Sequence, residues 1–88
     1  MFVYAMRGGG YVKIGVSDDI ERRLMSFNGG ALPFEMSLIC LGEADTVSAL
    51  EMEAGLLGAM PRLRGEWIAG SVTDTEIVSA FEAWRWDS

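Results

Sequence analysis

Apolar positions cluster in two short stretches at the start of the chain, residues 2–6 and 11–16, both rich in β-branched and aromatic side chains. That pattern predicts two strands. Gly8-Gly9-Gly10 between them can supply positive φ values, which predicts a hairpin. A two-residue Gly8-Gly9 loop places Arg7 opposite Gly10 and Tyr4 opposite Lys13. Val3, Ala5, Val12, Ile14 and Val16 then share one face, and Tyr4 and Lys13 share the other. A slip of one residue separates that polar pair, because side chains alternate with a period of two.

The pattern changes after Ser17. Ser17 or Asp18 can cap a helix, Asp18 with Glu21 three residues later in the form of a capping box, and Ile20, Leu24 and Phe27 follow at helical spacing. A helix near residues 18–27 is expected, with Asn28-Gly29-Gly30 as its stop. Arg23 borders its apolar stripe, and Arg22 points away. Residues 34–42 read as a third, mostly buried strand. Asp45-Thr46 can cap a second helix running to about residue 60, with Val47, Leu50, Ala54 and Leu57 as its buried stripe. Glu51 and Glu53 flank that stripe on opposite sides. Gly55 and Gly58 cost this helix about 1 kcal/mol each against alanine, so close packing or a ligand is expected beside them. "RLRGEWI" is a loop or short strand, and a last helix near 73–84 is capped by Thr73 with Glu76 and carries Ile77, Phe81 and Trp84 on its stripe. The predicted fold is one α/β domain over residues 1–88, an α+β sandwich with a three-stranded antiparallel sheet and about three helices.

Composition narrows the chemistry. There is no histidine, which removes His-dependent zinc sites, Ser-His-Asp triads and a base for a catalytic cysteine. Cys40 is the single cysteine and sits in an apolar run, so it reads as a buried hydrophobe in a reducing compartment. No apolar run reaches the ~20 residues of a membrane span, and no signal-peptide pattern opens the chain. A cytoplasmic protein with no membrane partner is expected. The net charge of −6 counts against tight nucleic-acid binding, but the charges are uneven. Residues 1–33 carry four basic and three acidic side chains, and residues 34–88 carry three and ten.

The motifs converge on one family. "FVY" and "KIG" on the hairpin, "ERRL" on the first helix, "ALE" on the second and "RLRGEWI" after it resemble the GIY-YIG nuclease superfamily. The likeness is to its small subgroup of phage-type and meiotically up-regulated-type DNA-binding domains, and it covers residues 2–68. It implies catalytic roles for Tyr4, Lys13, Arg23 and Glu51. Glu51 is also the implied ligand of Mg²⁺ or Mn²⁺. Lys13 stands where the second triplet of the family has tyrosine. Arg22, Arg62, Arg64 and Glu66 are the implied substrate-binding positions, with DNA as the implied partner. Gly55 departs from the subgroup's histidine, Gly58 from its aromatic residue, and the terminal asparagine of the classical nucleases has no counterpart.

The chemistry suits these residue types. One carboxylate can hold Mg²⁺, which keeps several waters and takes phosphate as a further ligand. Arginine binds phosphoryl oxygens bidentately. Tyrosine can act as general base if a nearby cation such as Lys13 lowers its pKa from about 10. Taken singly, the same residues have blander readings: Tyr4 an amphipathic edge residue, Lys13 a solvated strand residue, Arg23 and Glu51 a surface ion pair. Two functions stay open. One is a metal-dependent DNA endonuclease. The other is a binding module on the same fold with weak or no catalysis, for DNA or for a protein partner, for example a phage-encoded inhibitor of a host defence system.

Overall fold

The computed structural model describes residues 1–30 and 34–87, with side chains as far as residue 84. Eight elements follow one another: β1 (Phe2–Gly8), β2 (Tyr11–Ser17), α1 (Ile20–Asn28), β3 (Ser37–Glu43), α2 (Thr46–Ala59), β4 (Arg62–Arg64), β5 (Trp67–Ala69) and α3 (Asp74–Asp87). The sheet is antiparallel with order β3-β1-β2-β5-β4. It therefore has five strands where three were expected. The two extra strands come from "RLRGEWI", which folds into a hairpin around Gly65 at φ +57° and adds to β2.

Helices cover both faces. Val3, Ala5, Val12 and Ile14 meet α2 and α3 through Ala49, Met52, Leu56, Leu57, Ile77 and Phe81. On the other face Tyr4, Met6 and Met36 meet Ile20, Leu24 and Phe27 of α1. Two covered faces explain why β1 is apolar along most of its length, with no alternation to solvent.

The β1–β2 turn is Gly9-Gly10, at φ +59° and +81°, one residue later than the sequence predicts. Tyr4 consequently pairs with Gly15, and Lys13 with Met6. This is a register shift of two, so the faces are kept: Tyr4, Lys13 and Gly15 share the α1 side. Phe34 packs where a Cβ on Gly9 would lie, 2.3 Å from its ring. That packing, together with the positive φ, selects glycine there.

Caps set the helix starts. Asp19, one residue after the expected Asp18, accepts the Arg22 N–H at 3.0 Å. Asp45 accepts from Ser48, and Thr73 and Glu76 form the expected reciprocal box. Asn28 ends α1 and its amide bridges both backbone groups of Met36, at 2.7 and 3.1 Å, which ties α1 to the start of β3. β3 is an edge strand and half exposed, against the expectation of a buried one. Cys40 on it is only partly buried, yet burial, followed by Asp74 and Glu82, pushes its thiol up to about 11.

The buried side of α2 differs from the expected stripe. Ala49, Met52, Leu56 and Leu57 face the core, whereas Val47 and Leu50 are 67% and 48% exposed. The helix is apolar nearly all round, so periodicity does not single out one face.

Candidate active site at the open edge of β2

Tyr4 lies in the middle of β1 with its ring buried under α1. Its hydroxyl rests over Gly15 of the neighbouring strand: a Cβ at Gly15 would stand 2.4 Å from that oxygen. Only glycine leaves room for the phenol in this place. β5 pairs with β2 from Tyr11 to Lys13, and the Ile14 N–H donates to the Glu66 carbonyl at 3.1 Å. Beyond that point β2 has no strand partner on this side among the described residues. The sheet is open beside Gly15, and charges from both layers act on the Tyr4 hydroxyl.

Three such charges come from three different elements. Arg23 of α1 favours the phenolate, and Glu66 of the β4–β5 turn and Glu53 of α2 oppose it. Burial is the largest influence, and the Tyr4 pKa is raised. The expectation that Lys13 lowers it is overturned. Lys13 is matched instead to Glu66, in a close ion pair, and its ammonium lies 5.6 Å from the centre of the Trp67 ring. At neutral pH Tyr4 is therefore a neutral phenol, a hydrogen-bond donor and not a ready base.

Glu53 is half-buried, and its carboxyl is raised by burial first and then by Glu66, with Lys13 working the other way. Glu51 does not join this group. It is exposed, on the other side of the α2 face that carries Ala49, Met52, Leu56 and Leu57. The α2 carboxylate whose charge reaches Tyr4 is thus Glu53, two residues beyond the position that the motif spacing implies. The sequence does hold a signal for it: Ala49, Met52 and Leu56 sit at i, i+3 and i+7, and Glu53 borders that stripe.

The expected arginines divide by position. Arg23 and Arg22 are exposed and line a shallow cleft with Ser17, Asp18, Asp19 and Ser26 at the start of α1. Arg62 is used within its own hairpin, donating from Nε to the Gly65 carbonyl. Arg64 borders an apolar groove with Tyr11, Phe34, Leu63 and Trp67. Arg7 is on the opposite face from Lys13 and is structural: it donates to Asp74 Oδ1 at 2.7 Å, to the Gly70 carbonyl at 2.9 Å and to the Val72 carbonyl.

The donor set suits a hard divalent cation in a limited way. Glu53 and Glu66 repel each other, which a cation would relieve. Among the described residues no group of three His, Cys, Asp or Glu side chains converges. The protein would supply one or two carboxylate oxygens, as Mg²⁺ sites on phosphate substrates do. The two glycines of α2 have different surroundings. Gly55 lies against Trp84, whose ring a Cβ would meet at 2.3 Å, and Gly58 has nothing within 4 Å of its Cβ position.

No protein-family model, curated protein or solved structure matches this chain.

Proposed function

We propose that this chain is a small nuclease domain of the GIY-YIG type that hydrolyses phosphodiester bonds in DNA with the help of Mg²⁺ or Mn²⁺. The observation that supports the reading is the buried Tyr4 hydroxyl seated over Gly15, where the β2–β5 pairing ends, with Arg23, Glu66 and Glu53 of three separate elements within electrostatic reach of it. In this reading Tyr4, kept protonated by burial, donates its hydrogen bond to a non-bridging phosphate oxygen. Arg23 takes the other oxygens and holds them more strongly as their charge grows. Lys13 holds Glu66 in place through their ion pair. Glu53 would carry the cation, with Glu66 as second carboxylate; such a cation supplies charge neutralisation and a more acidic water.

The test is cleavage of a fluorescent DNA duplex and of single-stranded DNA in Mg²⁺ or Mn²⁺, with a chelator control. Tyr4→Phe keeps the ring and removes the donor, and it should slow the chemical step about 10²–10³-fold. Arg23→Ala should lower kcat more than it raises KM. Glu53→Gln should remove metal-dependent cleavage, and Glu51→Gln should keep it. A binding module without catalysis remains the second reading. It is favoured by the neutralisation of Lys13 by Glu66 within a chain of net charge −6. DNA binding that weakens with salt, with no cleavage by the wild-type chain in either metal, decides for it.

A further inference from the structure

Beside the Tyr4 site lies a feature that catalysis does not use. Tyr11, Phe34, Leu63 and Trp67 form an open apolar groove with Arg64 at its rim. Tyr11 is 45% exposed and Leu63 is 56% exposed, a large apolar surface for so small a protein. The rings are arranged and not merely adjacent. Tyr11 stands 6.4 Å from Phe34 at 40° and 6.4 Å from Trp67, nearly edge-on at 82°. Trp67 pairs across the sheet with Lys13, and Tyr4 pairs with Gly15. Tyr11, Lys13 and Gly15 alternate along the same face of β2, so the groove and the Tyr4 hydroxyl occupy one side of the sheet. From Tyr11 to Gly15 the strand advances about 13 Å, roughly the rise of four stacked nucleotides.

We propose that this groove holds an unpaired nucleobase of a single-stranded or locally opened DNA, stacked on the Tyr11 ring with Trp67 as the flanking wall, while Arg64 neutralises a flanking phosphate. The proposal rests on the reading of the neighbouring Tyr4 face as a phosphate site. Charge supports the choice of occupant. Duplex binding draws its affinity from rows of phosphate contacts. Here Arg7 is taken up by Asp74 and Lys13 by Glu66, in a chain of net charge −6. A protein with so few cations to spare gains more from stacking, which needs no charge and accepts any base.

The experiment compares two single-stranded octamers with equal phosphates, oligodeoxythymidylate and its fully abasic counterpart, in chelator so that neither is cut. The wild-type chain should bind the base-bearing octamer at least about 5-fold more tightly, and up to about 150-fold for one well-stacked base. Tyr11→Ala should erase that difference and leave binding of the abasic octamer unchanged. Equal binding of the two octamers by the wild-type chain overturns the proposal whether or not the variant folds. An equal loss for both octamers in Tyr11→Ala overturns it too. The two readings separate cleanly. Base-dependent binding without metal-dependent cleavage keeps the groove and refutes the nuclease, and cleavage without base-dependent binding does the reverse.

Discussion

Burial raises the pKa of both Tyr4 and Glu53, and the consequence differs for each. The phenol is protonated at neutral pH in any case, so the shift secures it as a donor. The carboxyl loses its proton at a higher pH than a free glutamate does, and once ionised it is a half-buried negative charge disfavoured by burial and by the charge of Glu66. A group whose folded pKa is raised contributes stability that is fully present below its unfolded value. That contribution is lost as the pH rises through the folded value. Glu53→Gln removes the loss. The variant should therefore be more stable than the wild-type chain at pH 7, and the gain should vanish below the ordinary glutamate value of about 4.3. Urea denaturation midpoints at pH 4 and pH 7 measure it. A variant less stable than wild type at pH 7 would mean that the charged form of Glu53 is held by a partner in the fold.

α2 shows how an element can satisfy its core and still present the wrong side to a sequence reading. With apolar residues on every side, it has two candidate stripes, and its neighbours choose between them. Trp84 of α3 lies against Gly55, and Met52 reaches to Gly42 of β3. The two glycines test this arrangement. Gly58→Ala should stabilise by up to about 1 kcal/mol, the helix-propensity gain at an open site. Gly55→Ala gains the same propensity but drives a methyl into the Trp84 ring, and a net loss of about 1–2 kcal/mol is expected from overpacking. Thermal or chemical denaturation of the pair gives opposite signs if α3 packs on α2 as described, and equal signs if it does not. α1 and α3 were legible because each has one apolar stripe and a polar remainder. β4 and β5 were not, because three residues are too few to show alternation, and their stability comes from β5 pairing with β2 and β4 pairing with β5.

The whole molecule is an acidic body with few cations available to a polyanion. Among the residues whose side chains the structure describes, Arg22, Arg23 and Arg64 are the exposed arginines with no side-chain hydrogen bond or ion pair in the fold. If about three phosphates are neutralised, the logarithm of single-strand affinity should fall with the logarithm of salt at a slope of about −2. Fluorescence anisotropy from 50 to 200 mM salt, on the order used for such slopes, reads it directly. A slope beyond about −5 would require more phosphate contacts than this surface offers. No helix among the described residues is long and apolar enough to cross a membrane.

The chain by itself determined what depends on near neighbours in sequence. The β1–β2 hairpin, the shared face of Tyr4 and Lys13, the stripes of α1 and α3 and the Thr73–Glu76 box follow from alternation, helical spacing and turn chemistry within a few residues. Motif order named Tyr4, Lys13, Arg23 and Glu51 as catalytic and Glu66 as substrate-binding, and of these Arg23 and Glu66 are the ones whose charges reach Tyr4. Tertiary structure decided everything that depends on which of two equivalent local choices has a partner. It selected the Gly9-Gly10 turn, because Phe34 and the hairpin register close over it. It left Glu53 half-buried and Glu51 exposed, because packing against β1, β2 and α3 sets the rotation of a helix that is apolar all round. It made Lys13 a partner of Glu66, because an ion pair forms between residues 53 positions apart only once β5 has docked on β2, and it raised the Tyr4 pKa by burying the ring under α1. Charge and burial are properties of neighbours in space, and for the residues of this site those neighbours are distant in sequence.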